Sequence, residues 1–200
     1  TRMATARELQ TDPTTMLAIL REVEPPVVPR GWAVLARSAL QSWIADAVLI
    51  HPDGVMRAAY SPDGKYIVTA SLDRIVRVWK ADGTGEPVLL RGHEDRVYSA
   101  AWSPDGKRVV TGSADRTARV WNADGTGQVI ILRGHESEVR DAAFSPDGKR
   151  IVTASYDKTV RVWSRDGAEI AVLPGHEDGV LSAAFSPDGK RIVTASYDKT

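Results

Sequence analysis

The chain of 200 residues is 42% hydrophobic and 26% charged, proportions typical of a folded domain with a core of its own. Its 26 basic and 26 acidic residues cancel and cysteine is absent, which argues against a nucleic-acid partner and excludes disulfides and cysteine-based zinc sites. No apolar run reaches the roughly 20 residues of a membrane span and no signal peptide opens the sequence, so we expect a cytoplasmic protein without a membrane contact.

The first 45 residues have helical periodicity. Asp12 followed by Pro13 resembles an N-cap and a first-turn proline, and Pro25 and Pro26 end the pattern. Apolar residues at helical spacing mark one face of a second predicted helix: Trp32, Leu35, Ala36, Ala39, Leu40 and Trp43. We therefore expect a helical linker or hairpin over residues 1–45. Its apolar stripe is expected to pack on a neighbouring domain, and a groove on a partner protein is the alternative.

From residue 46 onwards the sequence repeats. The histidines are spaced by 42, 42 and 41 residues, and each is followed by an apolar segment and then by Ser-Pro-Asp-Gly-Lys. This pentapeptide occupies residues 61–65, 103–107, 145–149 and 186–190. A period of this length is typical of the blades of a β-propeller. We divide residues 46–200 into repeats at about 47–90, 91–132, 133–173 and 174–200, the last of them incomplete.

Each repeat predicts short β-strands. Apolar and β-branched runs such as residues 150–155 and 159–163 alternate with turn residues, which favours an antiparallel meander of four strands, here called a, b, c and d. The proline and glycine of the pentapeptide suit a tight turn between strands a and b. Residues 47–50 align with strand d of the later repeats, so we expect them to form a strand whose partner is missing.

The pattern of Gly-His-Glu, Ser-Pro-Asp-Gly-Lys, Ser-x-Asp-Arg/Lys-Thr and Arg-Val-Trp resembles the WD40 repeat family over about residues 47–200. Lys80, Asn122 and Ser164 follow the tryptophans in place of the aspartate of the family name, and Ile50 replaces the glycine before the first histidine. The resemblance implies a mainly β fold. That fold is a partial WD40 β-propeller of about three and a half four-stranded blades, preceded by the short helical hairpin.

Every repeat supplies a histidine, a hydroxyl, an aspartate and, in the first three, a tryptophan. These residue types also form hydrolase active sites. The resemblance implies instead a structural hydrogen-bond chain from indole to hydroxyl, imidazole and carboxylate. The predicted tetrads are His51, Thr69, Asp73 and Trp79; His93, Thr111, Asp115 and Trp121; His135, Thr153, Asp157 and Trp163; and His176, Thr194 and Asp198. The alternative hydroxyls are Ser71, Ser113, Ser155 and Ser196.

No metal site, cofactor or catalytic residue is predicted. One histidine per blade at equivalent positions would not converge on a single ion. Residues 82–85 and 124–127 lack the carboxylates of a calcium loop and are interpreted as turns between strands c and d, and no Walker-type phosphate loop occurs. We therefore expect these residues to be non-catalytic.

The positions that differ between otherwise similar repeats predict a binding surface on the top face, where the histidine loops and the b–c turns emerge. Loops on a rigid scaffold carry function, and aromatic and arginine side chains are typical anchors of interfaces. The candidates are Met56, Arg57, Tyr98, Arg140 and Leu181 after the histidine loops, and Leu72, Ala114, Tyr156 and Tyr197 before each aspartate. We expect a protein or peptide partner. The alternative is that these are unconstrained surface positions.

The wider context of the chain is predicted from its helical preface. That segment resembles the linkers of large bacterial signalling proteins, either STAND-type NTPases or serine/threonine kinases with C-terminal WD40 repeats. We therefore interpret the chain as a fragment of such a protein. Because unpaired strand edges are templates for association, we also expect the isolated fragment to associate with itself through open blade edges.

Overall fold

The computed structural model describes residues 48–200, and the helical hairpin predicted for residues 1–45 lies outside this part of the chain. Every regular secondary-structure element in the described residues is a β-strand. In chain order they are β1 Val55–Tyr60, β2 Tyr66–Ser71, β3 Val76–Lys80, β4 Val88–Leu90, β5 Val97–Trp102, β6 Arg108–Ser113, β7 Ala118–Asn122, β8 Ile130–Leu132, β9 Val139–Phe144, β10 Arg150–Ser155, β11 Val160–Ser164, β12 Glu169–Leu173, β13 Val180–Phe185 and β14 Ile192–Ser196.

Consecutive strands pair antiparallel in four separate sheets. The first three sheets have four strands each, in the orders β1-β2-β3-β4, β5-β6-β7-β8 and β12-β11-β10-β9, and the last pairs β13 with β14. We call these sheets blades 1 to 4. The meander predicted from the repeat is thereby confirmed for the first three repeats. The first strands of successive blades lie against one another, so the blades pack side by side in chain order.

The Ser-Pro-Asp-Gly-Lys segment forms the turn between the first two strands of each blade. In blade 2 the Ser103 hydroxyl donates to Asp105 Oδ1 at 2.6 Å and accepts the backbone N–H of Arg108 at 2.9 Å. Gly106 adopts a φ of 67°, in the left-handed region where glycine has no steric penalty. The turn therefore fixes the register at which strand β6 pairs with β5.

Apolar clusters between neighbouring blades form the core. Between blades 1 and 2, Val68 and Leu90 of the earlier blade pack with Val97 and Trp121 of the later one. Equivalent clusters lie between blades 2 and 3 and between blades 3 and 4. Each cluster buries side chains from both sheets, so a blade is stabilised mainly by its neighbours.

The segment before the first blade differs from the expectation. Residues 48–50, the described part of the strand predicted at residues 47–50, form no strand. Val48 and Ile50 are 81% and 79% exposed. The equivalent strands β4 and β8 each pair with the third strand of their own blade. Residues 48–50 are therefore irregular where the later repeats have an outer strand.

Candidate functional site

The polar tetrad of blade 2 forms a continuous hydrogen-bond chain. Trp121 Nε1 donates to Thr111 Oγ1 at 2.9 Å, and the Thr111 hydroxyl lies 2.7 Å from His93 Nε2. His93 Nδ1 lies 2.7 Å from Asp115 Oδ2. The Thr111 hydroxyl can donate its single proton either to His93 Nε2 or to the Arg119 carbonyl, which is 3.4 Å away. The shorter contact makes Nε2 the acceptor, so the neutral imidazole carries its proton on Nδ1 and donates it to the carboxylate.

Blade 3 repeats this chain, and blade 4 repeats its threonine–histidine–aspartate part. His135 contacts Thr153 and Asp157 at 2.7 Å each, and Trp163 donates to Thr153 at 2.9 Å. His176 contacts Thr194 and Asp198 at 2.8 Å each. The same residue types at the same spacing therefore give the same geometry in three successive blades.

In blade 1 the arginine of the third strand lies closer to the aspartate than its equivalent does in blade 2. His51 Nε2 lies 2.7 Å from Thr69 Oγ1, and Trp79 Nε1 donates to the same hydroxyl at 3.0 Å. The Asp73 carboxylate forms an ion pair with Arg77 at 2.7 Å. Burial opposes ionisation of Asp73, but hydrogen bonds from Arg77 and the Ile75 backbone outweigh it and lower its pKa. An arginine on the neighbouring strand is therefore a main partner of this carboxylate.

The serines considered as alternative hydroxyls have a different place in the structure. Ser113 Oγ donates to the carbonyl of Arg96 at 2.9 Å and accepts the backbone N–H of Asp115 at 3.1 Å. Ser155 and Ser196 make the equivalent contacts to the histidine loops of their blades. The threonine thus belongs to the chain that ends at the tryptophan, and the serine joins the b–c turn to the histidine loop.

The tetrads of blades 2 and 3 have the residue types of a hydrolase, but their hydroxyls are buried. Thr111 and Thr153 are fully buried, and the hydroxyl of each already contacts an indole and an imidazole. Burial lowers the pKa of His93, although Asp115 acts in the opposite direction. A nucleophile has to reach its substrate, and these hydroxyls cannot. In these two blades the arrangement holds the histidine loop on the blade and keeps the threonine hydroxyl away from solvent.

Four of the candidate binding residues occupy the same structural position, a β-bulge in the first strand of each blade. In blade 2, Val97 pairs with Ser113 and Ser99 with Gly112, so Tyr98 between them has no partner on β6. Met56, Arg140 and Leu181 occupy the equivalent bulges. Bulges redirect a side chain and are frequent beside functional sites. The fold therefore presents one variable side chain per blade at this place.

Tyrosine rings from blades 2 and 3 lie against the guanidinium of Arg140, and a tyrosine of blade 4 lies beside one of these rings. Its central carbon lies 3.8 Å from the centre of the Tyr98 ring and 4.9 Å from that of Tyr156. The Tyr156 and Tyr197 ring centres are 6.0 Å apart. Glu138 adds a carboxylate 3.5 Å from the guanidinium. We call Tyr98, Arg140, Tyr156 and Tyr197 the tyrosine–arginine cluster, because the structure brings these four candidates together.

The phenols of Tyr98 and Tyr156 both have a raised pKa and stay protonated at physiological pH. Burial and the nearby Glu138 carboxylate raise the pKa of Tyr98, and a hydrogen bond with Tyr197 together with burial raises the pKa of Tyr156. A guanidinium over aromatic rings gains about 0.5 to 1 kcal/mol at an exposed site. Arg140 is thus held in place before any ligand arrives, while Tyr197 remains 57% exposed.

The other candidates lie outside the cluster. Met56 and Arg57 are exposed on blade 1, whereas Leu72, Ala114 and Leu181 are partly buried. The Leu72 side chain packs on Gly54, with its nearest carbon 3.2 Å from the place of a β-carbon there. These residues occupy separate positions on blades 1, 2 and 4.

Asp141 is a structurally important residue that the repeat pattern did not single out. It is buried on β9, and its Oδ2 accepts the Ser182 hydroxyl of the next blade at 2.8 Å. Its Oδ1 accepts the backbone N–H of Ala142 at 3.0 Å. The equivalent positions hold Arg57, Ser99 and Ser182. The sequence does contain a signal for this link between blades 3 and 4, because only one of the four repeats has an acidic residue at this position.

Residues 48–200 contain no cluster of three or more side chains suited to hold a metal ion. In the same range, no helix has the length and apolar character needed to cross a membrane.

Comparison with known proteins gives one family match. The family model described as "WD domain, G-beta repeat" matches residues 47–80, 86–122, 127–164 and 167–200. None of the curated proteins compared with the chain matches it. Each matched segment from the second onwards begins with the outer strand of the preceding blade, β4, β8 or β12, and continues into the first strands of the next blade.

Proposed function

Because the chain belongs to the WD40 repeat family, we propose that it is a non-catalytic interaction scaffold whose binding surface is the tyrosine–arginine cluster. The observation that carries this proposal is the position of Arg140, whose guanidinium lies over the rings of Tyr98 and Tyr156. Tyrosine and arginine dominate the energetics of protein interfaces. Three blades contribute to the cluster, so a rigid fold holds its parts in fixed positions.

The chemistry of the cluster suits a protein or peptide partner. Tyrosine rings offer large contact areas at a low cost in conformational entropy, since few torsions have to be fixed. The phenols can donate hydrogen bonds, and the guanidinium can bind a carboxylate or a backbone carbonyl. A surface that combines apolar rings with donors at known positions is typical of the anchors of protein interfaces.

We place this scaffold in a larger bacterial signalling protein of the cytoplasm. The support is the resemblance of residues 1–45 to the linkers that precede WD40 arrays in such proteins. In the alternative, the repeats regulate an enzyme, a STAND NTPase or a serine/threonine kinase, whose catalytic domain lies upstream. The full reading frame distinguishes the two enzymes. A Walker motif indicates the NTPase, whereas a glycine-rich loop with a His-Arg-Asp motif indicates the kinase.

A double variant, Arg140→Ala with Tyr156→Ala, tests the binding surface. The immobilised variant is exposed to a lysate of the cells that produce the protein, and bound proteins are quantified by mass spectrometry. We expect the amount of the wild-type partners that the variant binds to fall at least about tenfold, because truncating an anchor side chain of an interface costs about 2 kcal/mol or more of binding free energy.

The matched control is Lys149→Ala with Lys190→Ala, which changes exposed residues in the turns between first and second strands. It should bind the same proteins as the wild type. Circular dichroism verifies that both double variants are folded. A folded Arg140 and Tyr156 variant that retains the wild-type partners in unchanged amount contradicts the proposed surface.

A further inference from the structure

A cavity of about 610 Å³ lies between blades 1 and 2, at the end of the blades that carries the a–b and c–d turns. This volume is within the range of about 300 to 1,000 Å³ that is typical of small-molecule sites. All four strands of both blades are present around it. Tyr98 of the tyrosine–arginine cluster lies at the start of β5, whereas Trp102 of the cavity wall ends that strand. The cavity is therefore separate from the proposed partner surface.

Two arginines of the next interblade crevice have no equivalent at this cavity. Between blades 2 and 3, Arg108 and Arg165 line a cavity of only about 100 Å³. The same two positions between blades 1 and 2 hold Tyr66 and Ala123, and both residues line the larger cavity. Because alanine lacks the long side chain of arginine, the space that Arg165 occupies in blade 3 is empty beside Ala123 in blade 2.

The backbone at Ala123 makes the same contact as its equivalent in blade 3. The backbone N–H of Ala123 donates to the Lys107 carbonyl at 2.9 Å, and that of Arg165 donates to the Lys149 carbonyl at 2.9 Å. The two cavities therefore differ through their side chains. It also follows that the fold accepts an arginine at this position of a blade.

The walls of the larger cavity are mainly apolar. Val78 and Val88 of blade 1 line it together with Ala123 of blade 2, and the rings of Tyr66 and Trp102 add two aromatic surfaces. The Trp102 indole donates to a backbone carbonyl of blade 1 at 3.0 Å, so this ring is held in place before any ligand arrives. Apolar and aromatic walls with a few polar groups are typical of sites for small organic molecules.

The charged groups of the cavity balance each other in number. Lys80 and Lys107 supply two ammonium groups, and Glu86 and Asp124 supply two carboxylates. Within residues 48–200 none of these four side chains forms an ion pair. Charges that are complementary between a site and its ligand give specificity, because like charges repel. A ligand with one positive and one negative group therefore matches the cavity better than a ligand that carries only one sign of charge.

We propose that the cavity between blades 1 and 2 binds a small zwitterion with an aromatic body, the chemical class of the free aromatic amino acids. The aromatic body lies against the rings of Tyr66 and Trp102. The carboxylate of the ligand pairs with the lysines of the cavity, and its ammonium group pairs with the acidic side chains. The chain thus has a small-molecule site at the end of the blades opposite to its partner surface.

Isothermal titration calorimetry of the full chain with three related probes tests the ligand class. The probes are L-tryptophan, tryptamine, which lacks the carboxylate, and indole-3-propionate, which lacks the ammonium group. We expect one molecule of L-tryptophan to bind per chain. Each of the other two probes should bind at least about tenfold more weakly, because it leaves one sign of charge in the cavity without a partner. No binding of L-tryptophan at up to about 1 mM, or equally tight binding of either other probe, overturns the proposal.

Ala123→Arg tests the location of the site, because it introduces the residue that blade 3 has at this position and so fills the cavity. We expect this variant to bind L-tryptophan at least about tenfold more weakly than the wild type. Ala81→Arg is the matched control. It makes the same change at the equivalent position of blade 1, where the backbone N–H donates to the Lys65 carbonyl at 2.8 Å and the side chain does not line this cavity.

The control variant should bind L-tryptophan as the wild type does, and circular dichroism verifies that both variants are folded. A folded Ala123→Arg variant with the affinity of the wild type overturns the proposed location. So does an equal loss of affinity in both variants. Because loss of lysate partners is measured separately, failure here leaves the proposed partner surface standing.

Discussion

Asp115 is the residue at which the hydrogen bonds of blade 2 converge. Its carboxylate accepts His93 Nδ1 at 2.7 Å, the backbone N–H of Glu94 at 3.1 Å and the Thr117 hydroxyl at 2.6 Å. Burial opposes its ionisation, but hydrogen bonds from His93 and Thr117 outweigh the burial, so the pKa of Asp115 lies well below its usual value. One side chain thus joins the histidine loop to the b–c turn.

Replacing this carboxylate should destabilise the fold. In Asp115→Ala the buried Nδ1–H of His93 loses its acceptor, and an unpaired buried polar group costs about 1 to 3 kcal/mol. We expect the melting temperature to fall by about 3 to 10 °C in differential scanning calorimetry. The matched variant is Asp124→Ala, whose carboxylate accepts only exposed contacts from Thr126. Equal melting temperatures for both variants would refute the structural role of the network.

The b–c turns show how a single backbone conformation recurs in every blade. Arg74, Arg116, Lys158 and Lys199 all have φ values between 67° and 72°. This left-handed conformation costs a residue with a side chain roughly 1 to 2 kcal/mol. In blade 2 the backbone N–H of Thr117 donates to Asp115 Oδ1 at 3.0 Å across this turn. The strained residue therefore closes a turn in which the tetrad aspartate takes part.

Glycine at this position should relieve the strain. We expect Arg116→Gly to increase the free energy of unfolding by about 0.5 to 1 kcal/mol. Glycine removes the strain of the left-handed conformation, and its larger conformational entropy in the unfolded chain offsets part of this gain. Urea denaturation measures the change. Lys65→Gly is the matched control, since Lys65 is exposed and its φ is not positive. Lys65→Gly should lower the free energy of unfolding by about 0.5 to 1 kcal/mol. A destabilised Arg116→Gly would show that the turn is not strained.

The strands could be predicted from the sequence, but the bulges within them could not. The β-branched runs and the turn pentapeptide locate strands such as Arg150–Ser155 without any coordinates. The bulge at Arg140 depends instead on how β9 pairs with β10, which no local residue pattern specifies. The contact of Arg140 with Tyr98, 42 residues earlier, depends on both the bulge and the packing of two blades. Variation between repeats therefore identified the residues of the cluster but not their contact.

At the scale of the whole molecule, the tetrads couple stability to proton binding. Burial lowers the pKa of His93 and His135, although the paired aspartates act in the opposite direction. The hydrogen bonds around Asp115 and Asp157 outweigh their burial and lower the pKa of both carboxyls. The folded chain therefore resists protonation at all four groups, whereas the unfolded chain takes up protons near the usual values of about 6.5 and 3.9.

Stability should therefore fall on acidification, and the histidines should act first. As the pH falls through about 6.5, the unfolded state binds protons that the buried imidazoles do not, and the free energy of unfolding decreases. We expect the urea midpoint to be lower at about pH 5.5 than at about pH 7.5, a window in which the lowered aspartates stay ionised in both states. Between about pH 7.5 and pH 9 these groups contribute no change, which serves as the internal control. A midpoint that stays constant or rises from about pH 7.5 to 5.5 would show that the imidazoles of blades 2 and 3 are not held neutral by the fold.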